Sequence, residues 1–322
     1  MTQFLFKNRL YLGDVVSLGG DFQIRDFPLP RKAKNWTGIP EKIDFQSQSS
    51  SLIDPISYRL PPLLSRSDTP TKEEHASFVE QFLLSGVEKI VLARQTTLTF
   101  ADRVDPLGIY SHLLKLKGSA TCFGVMLSPD IAFMGATPEL LFSRDGDILK
   151  TMALAGTRKH EDEASLLTST KDLHEFGVVK EEIYNKLSEI AHPFTVEETP
   201  TLWRTNSLSH LYCPFEVKLK KKTSNDELIS FLHPTPAIAG RPRKDAMKLI
   251  SLMEEFDRGW YCGTFRSGSD VYVCLRTTLV IENKMHIFSG GGIVLGSKPE
   301  TEWQELENKI ALFGDLKTCL KN

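Results

Sequence analysis

FSGGGIVLGSKPETEWQELENKIALF, residues 288–313, holds the pattern from which the rest of the chain is read outward. Its first part is a strand that runs into Gly290, Gly291 and Gly292, three residues without side chains. A turn there lets backbone N–H groups approach an anion closely. After Pro299, Trp303, Leu306, Ile310 and Phe313 recur at helical spacing and predict a helix over 299–320. Glu302, Glu305 and Lys309 share one narrow face of that helix, beside the apolar stripe rather than opposite it. Two acids and one base are thus held at the edge of the core. Carboxylates for a cation, with an ammonium and bare amides for an anion, outline a metal-assisted site for a carboxylate substrate.

Upstream of this stretch, strands at 260–267, 270–282 and 284–294 form a meander, with Glu282-Asn283 at one turn. Strands are also expected near 120–127, 131–135, 139–144 and 147–154, with Arg144-Asp145-Gly146-Asp147 as a hairpin turn. KIVLARQTTLTF (89–100) is rich in β-branched residues and reads as a strand; 105–117 reads as a helix. Thr69-Pro70-Thr71 followed by Glu73-Glu74 opens a helix to about Ser85. Further helices are expected at 171–191 and 244–257, and short strands near 194–197 and 210–218. Residues 1–30 give one or two strands. Residues 31–71, with QSQSSS and Pro61-Pro62, read as a linker or surface-draped segment, and 157–170 as a mobile loop. Long antiparallel runs with irregularly placed helices point to an α+β fold or mixed sandwich, not a doubly wound parallel sheet.

The composition narrows the function classes. With 41% hydrophobic and 25% charged residues, the chain is that of a globular protein. A net charge of −2 argues against a nucleic-acid surface, so any anion must be held by local groups. No apolar run is long enough for a membrane span, and the N-terminus lacks a signal-peptide pattern. The cysteines at 122, 213, 262, 274 and 319 form no CxxC pair. A reduced, cytoplasmic protein is therefore expected. The basic run from Lys218 to Lys222 reads as a solvated strand end.

Several other side chains are candidates for chemistry. Glu175 and Glu182 fall on the apolar face of helix 171–191, where an ionised carboxylate is costly unless compensated. Glu175 by itself reads as an acid in the first turn, stabilised near the helix N-terminus by the dipole. Together with Glu302 and Glu305 it allows a shared Mg²⁺ held by hard oxygen ligands. Lys89 alone reads as a solvated strand end. Glu139 precedes an apolar strand, where its pKa rises if it is buried. Arg276 lies among apolar neighbours in VYVCLRTTLVI and needs a partner, either a protein acid or a ligand. His210 alone reads as a packed histidine, and Tyr261 as core or site.

KIVLAR, GATPELLF, ALAGT, STKDLHEF, LSHL, LHPTPAIAG, DRGWYCG, CLRTTL, SGGGIV and TEWQELENK stand in the order found in the chorismate-utilising enzymes, which this chain resembles over about 75–320. That family includes isochorismate, anthranilate, aminodeoxychorismate and salicylate synthases. The resemblance implies a single α/β sandwich of two antiparallel sheets with helices packed outside. Residues 1–74 would be a shortened N-terminal segment of the same domain, and 75–322 the catalytic core. It implies Lys89, kept neutral by burial, as general base toward water, and Glu139 as general acid. Glu175 and Glu305 resemble Mg²⁺ ligands, with Glu302 close by or bridging through water. Arg276, Tyr261 and the Gly290, Gly291 and Gly292 amides resemble a clamp on the enolpyruvyl carboxylate, with Lys309 on the ring carboxylate. His210 resembles the histidine beside the ring, and Gly156-Thr157 the loop that approaches it.

Within the family, Ala153-Leu154-Ala155 is most similar to the water-using branch: Ala155 offers no nucleophile, and ammonia-using relatives do not usually keep a lysine at the place of Lys89. The resemblance therefore implies isochorismate synthesis from chorismate, for menaquinone or a siderophore, with no obligatory amidotransferase partner. A salicylate synthase, which goes on to eliminate pyruvate, stays open. Three departures stand out: Phe176 replaces a histidine after Glu175, Gly291 replaces an alanine, and the N-terminus is short. The last leaves part of a sheet unpaired or favours a dimer, so a monomer or homodimer is expected.

Overall fold

The computed structural model describes residues 2–16, 20–32, 36, 38–205 and 208–313. Strands β1 (Gln3–Phe6), β2 (Arg9–Val16), β3 (Phe22–Arg25), β4 (Lys42–Leu52) and β5 (Leu63–Thr69) precede helix α1 (Lys72–Leu83). Then come β6 (Lys89–Phe100), α2 (Pro106–Leu116), β7 (Thr121–Ser128), β8 (Ile131–Thr137), β9 (Leu140–Asp145) and β10 (Ile148–Lys159). A 3₁₀ helix at His160–Leu167 leads to the long α3 (Thr170–Ile190), β11 (Thr201–Arg204), β12 (Leu208–Lys218) and α4 (Asn225–Leu232). The last elements are β13 (Gly240–Arg241), α5 (Arg243–Met253), β14 (Thr264–Ser267), β15 (Asp270–Val273), β16 (Thr277–Ile281), β17 (Lys284–Val294) and α6 (Pro299–Ile310).

All the pairings between these strands are antiparallel. They run without a break from β5 through β6, β17, β16, β8, β7, β1, β2, β4, β3, β14 and β15 to β9. β9 is the corner. Leu140 and Phe142 pair with β15, whereas Ser143–Asp145 pair with β10, which continues through β12 to β11. A large and a small antiparallel sheet therefore share β9, as the α+β expectation requires. α3 lies on β10 and also reaches β17; α6 lies on β17 and α1. This brings the acids of two helices to one place. The main core gathers Phe4, Phe45, Phe133, Trp260 and Phe288. A second cluster under α2 holds Leu98, Tyr110, Leu113, Met134 and Val280. Each such buried side chain contributes about 1.5–3 kcal/mol of transfer free energy. No described helix is long and apolar enough to cross a membrane.

Local chemistry explains the boundaries. Thr71 and Glu74 form a reciprocal capping box at α1. Residues 31–71 are not a linker throughout, because β4 and β5 lie within them. Their polar faces hide the alternation: after Phe45, β4 exposes most of its side chains while its backbone pairs with β2. The start of the chain holds three strands rather than two. The expected strand at 194–197 is absent, and Thr201–Arg204 pairs instead. The expected loop at 157–170 is the end of β10 and a 3₁₀ helix, anchored by buried Leu166. The strand expected over 270–282 is broken at Cys274–Arg276, where Arg276 takes φ +52°. The final helix ends at Ile310 with a 3₁₀ turn to Phe313; the rest of the expected span lies outside the described residues. Of the basic run, Lys220 caps α3 through the Ser188 and Glu189 carbonyls, and Lys218 sits at the exposed strand end.

Candidate active site

A cavity of about 690 Å³, its mouth included, opens between β10, β12, β17, α3 and α6. That size suits a small organic ligand. Of the predicted site residues, Glu139, Gly156, Thr157, Glu175, His210, Tyr261, Arg276, Gly290, Gly292, Glu305 and Lys309 line it. Lys89, Gly291 and Glu302 do not. Lys89 and Glu302 sit one layer behind, and Gly291 is turned toward Leu306 and Glu302 on α6.

The glycine run corrects the sequence expectation. Gly290–Gly292 form no turn; they lie inside β17, opposite Ala93, Leu92 and Val91 of β6. β16 stops pairing at Phe288, so past that point the other edge of β17 has no strand beside it among the described residues. What the glycines supply is space. A Cβ at Gly292 would come 2.0 Å from Glu175 Oε1 and 3.0 Å from Lys89 Cε, and one at Gly290 would come 2.6 Å from the Tyr261 hydroxyl. The bulge in β10 is different: Gly156 has φ +68°, a conformation natural to glycine, and the register slips there.

Glu139 follows Thr137-Pro138 at the entry to β9. It is 4% exposed, with the Thr235 hydroxyl donating to Oε1 at 3.4 Å. Burial pushes its carboxyl up to about 7, against the pull of Lys89. A carboxylic acid that still carries its proton near neutrality is a competent donor. Lys89, fully buried at the start of β6, places Nζ 3.0 Å from Glu175 Oε1. Burial raises the Glu175 carboxyl, but Lys89 and then Lys171 outweigh it and hold the group down at about 2. Lys89 is therefore one half of a buried ion pair with Glu175, where the resemblance implied an amine kept neutral by burial among charges. Glu182 is partly exposed beside Lys186, so the buried acids of α3 are Asp172 and Glu175.

The acids meet a lysine that the sequence reading passed over. Lys171 Nζ lies 3.1 Å from Glu302 Oε1, 3.4 Å from Glu175 Oε2 and 3.9 Å from Asp172 Oδ1. Burial opposes its charge, but Glu175, Glu305, Glu302 and Asp172 hold it well above the usual lysine range. Its signal was its position: a cation in the first turn of a helix opposes the helix dipole and needs another reason to be there. Glu302 is 1% exposed, and its Oε1 has no hydrogen bond despite the nearby ammonium. Burial, with Glu305 and Glu175 adding to it, pushes that carboxyl up to about 7 against Lys171. Among the described residues no three acidic, histidine or cysteine side chains are arranged as a metal-binding group. The donor chemistry nonetheless fits a hard divalent cation: crowded carboxylates, one oxygen orphaned, and an ammonium already drawn between them. Phe176 points into the main core, so the departure from histidine adds apolar packing behind Glu175.

The opposite wall is cationic. Arg276 has no acid within ion-pair distance among the described residues, and burial lowers it to about 10. Its guanidinium donates to His210 Nε2, so that nitrogen carries no proton. His210 Nδ1 must then be the N–H, 3.2 Å from the Gly156 carbonyl and 3.0 Å from Thr157 Oγ1. Burial, then Arg276, keeps this imidazole neutral well below its usual titration range. His210 thus holds the arginine as well as facing the cavity. Tyr261 stacks on Phe288 at 5.4 Å and, pushed up by burial, remains a neutral phenol. Lys309 Nζ donates to the Gly290 carbonyl and to Glu305 Oε1, both at 2.6 Å. Cys262 (φ +60°) and Arg276 both line the cavity in the left-handed region that side chains rarely adopt. Such strain collects at functional sites. The sequence reading also missed Glu254 and Arg258, a buried pair whose hydrogen bonds to Ala93, Val91 and Ile238 tie β6 to the loop beside the cavity.

Known proteins resemble the chain in sequence and in fold. A family model described as chorismate binding enzyme matches residues 46–316. An isochorismate synthase of Catharanthus roseus chloroplasts is 37% identical over 242 residues, 71% of this chain and 42% of that protein. The Haemophilus influenzae isochorismate synthase MenF is 33% identical over 71% of this chain and 57% of its own length. The Escherichia coli isochorismate synthase EntC is 34% identical over 70% of this chain and 61% of its own. The chain thus spans about half of the length of these relatives. Among solved structures, one described as a 2,3-dihydroxybenzoate-specific isochorismate synthase, DhbC, from Bacillus anthracis superimposes with a TM-score of 0.82. It is 26% identical, and the match covers 100% of this chain and 96% of that one. The menaquinone-specific MenF of Escherichia coli gives 0.79 at 25% identity, over 99% and 88%.

Proposed function

The chain belongs to the chorismate-binding enzyme family, and on that premise we propose that it is a Mg²⁺-dependent isochorismate synthase, interconverting chorismate and isochorismate. The observation that carries the reading is the meeting, in one cavity, of Glu139, whose carboxyl burial raises to about 7, with Arg276, a half-buried cation that has no acid within ion-pair distance among the described residues. A dicarboxylate substrate answers that cation. Arg276, held by His210, binds the enolpyruvyl carboxylate beside Tyr261, and Lys309 binds the ring carboxylate. These contacts fix the ring and exclude bulk water. When bound, Mg²⁺ would be held by Glu175, Glu302 and Glu305 and would supply positive charge to a substrate carboxylate.

In the forward direction a water oxygen bonds to C2 and gives its proton to Lys89. The ring double bonds shift, and the C4–O bond breaks as Glu139 protonates the departing hydroxyl, which leaves as water. Lys89 can act as base only as the free amine, once its pair with Glu175 has opened and its proton has passed to solvent. Ala155 brings no lysine nucleophile to the cavity, and Ala153-Leu154 with an intact Lys89 favours water over ammonia, so that no amidotransferase is needed. The four described cysteines, all free and buried, favour a cytoplasmic setting. The relatives' names include a menaquinone-specific and a vibriobactin-specific enzyme, and menaquinone or siderophore synthesis fits the same site.

The test is to mix the purified chain with chorismate and Mg²⁺, without ammonia, and to follow products by NMR alongside a pyruvate assay. Isochorismate without pyruvate supports the proposal. Salicylate with pyruvate moves the chain to the lyase branch. Reaction only after ammonia is added refutes the water-using reading.

A further inference from the structure

Three acids at the rear of the cavity are matched by three ammonium groups. Lys89 faces Glu175 at 3.0 Å, Lys171 faces Glu302 at 3.1 Å, and Lys309 faces Glu305 at 2.6 Å. Such a cluster has little room for two further positive charges in a low-dielectric site. One ammonium has to leave if a divalent cation enters alone. The three are not equally free to do so. The Lys89 side chain is fully buried. Lys309 is fastened to the Gly290 carbonyl as well as to its acid. Lys171 is 20% exposed and lies between acids of two different helices, Glu175 on α3 and Glu302 on α6. It also has somewhere to go, since Asp172 Oδ1 is already 3.9 Å away toward the Arg158 side.

We infer that Lys171 is a tethered counter-ion, whose ammonium fills the gap between Glu175 and Glu302 in the metal-free protein and must swing aside before a divalent cation binds there. The inference rests on the metal reading above and adds a function for a residue which that reading does not use. In the metal-free state the lysine keeps two carboxylates from repelling each other and ties α3 to α6. In the loaded state it withdraws. A cation therefore binds only the fraction of molecules in which the lysine is out, and its apparent affinity is reduced by that fraction.

Titration with Mg²⁺ alone, by calorimetry and by thermal melts with and without the ion, tests this without any turnover. In Lys171→Met the competitor is gone. The variant should bind Mg²⁺ about tenfold more tightly or better, as removal of a minor-state requirement predicts. It should melt lower than wild type without metal and gain more from metal. In Lys171→Arg the guanidinium grips two carboxylates at once and should weaken Mg²⁺ binding several-fold, to about tenfold; this arm decides the matter if the methionine variant does not fold. Equal or weaker Mg²⁺ binding by Lys171→Met, or equal or tighter binding by Lys171→Arg, overturns the inference while leaving the metal reading intact. Wild type that binds no Mg²⁺ even with chorismate present ends the metal reading, and the inference with it.

Discussion

Gly292→Ala and Gly291→Ala differ by one residue in the same strand, and the structure gives them opposite outcomes. At Gly292 the new methyl would lie 2.0 Å from Glu175 Oε1, whereas ordinary contact begins near 3.4 Å, so the carboxylate must retreat by about 1.4 Å. It is poorly placed to do so: it is 5% exposed and held by Lys89 and Lys171. The methyl also presses on Lys89 Cε at 3.0 Å, moving the proposed base together with its partner. A displacement of about 1 Å at a reacting centre costs on the order of 10²-fold in rate. At Gly291 the nearest atoms are Leu306 Cδ2 at 3.7 Å and Glu302 Oε2 at 3.9 Å, ordinary contacts. That space agrees with the alanine that the sequence resemblance implies there. Gly291→Ala should keep wild-type turnover and gain about 0.4–1 kcal/mol of stability from the stiffer unfolded chain. Steady-state turnover of chorismate, with a melt on each variant, decides it. Wild-type turnover in Gly292→Ala, or an equal collapse in Gly291→Ala, would refute the argument that Gly292 makes room for the Lys89–Glu175 pair.

Other predictions follow from the same site. Glu139→Gln removes the acid and should lower kcat by at least about 10²-fold, measured in folded protein. Because the proposed role of Glu139 requires its proton, and burial raises it to about 7, the slope of log(kcat/KM) against pH in the forward direction should drop by about one as pH rises through about 7; a slope unchanged there would contradict its role. Arg276→Ala should weaken binding of the substrate carboxylate by about 1.5–3 kcal/mol, the value of a hydrogen bond to a charged group, seen mainly as a higher KM. Glu254→Ala leaves Arg258 buried without its acid and should cost about 3–5 kcal/mol in denaturant unfolding.

What could be read from the sequence was what has a local period or a local cap. α1 announced itself through Thr71 and Glu74, and α6 through the spacing of Leu306 and Ile310 beside Glu302 and Glu305. β4 and β5 escaped because their stabilisation comes from backbone pairing with β2 and β6, while their side chains are largely polar. The ordered motifs brought most of the site's residues together before any coordinates. They did not give the relations between those residues. That Gly290 and Gly292 are spacers in an extended strand, that Arg276 is held by a neutral His210, and that Lys171 stands among the acids are facts of approach between distant segments. Lys171 had one local clue, a cation at the wrong end of a helix, and its explanation lay 131 residues away at Glu302.

The central claim is that water adds at C2 as the C4 hydroxyl leaves. Turnover of chorismate in ¹⁸O-enriched water with Mg²⁺, and no ammonia, measures this directly by mass spectrometry and NMR. The account predicts isochorismate carrying one ¹⁸O, on C2, with the C4 oxygen lost. Isochorismate without the label, or with the label elsewhere, would contradict it.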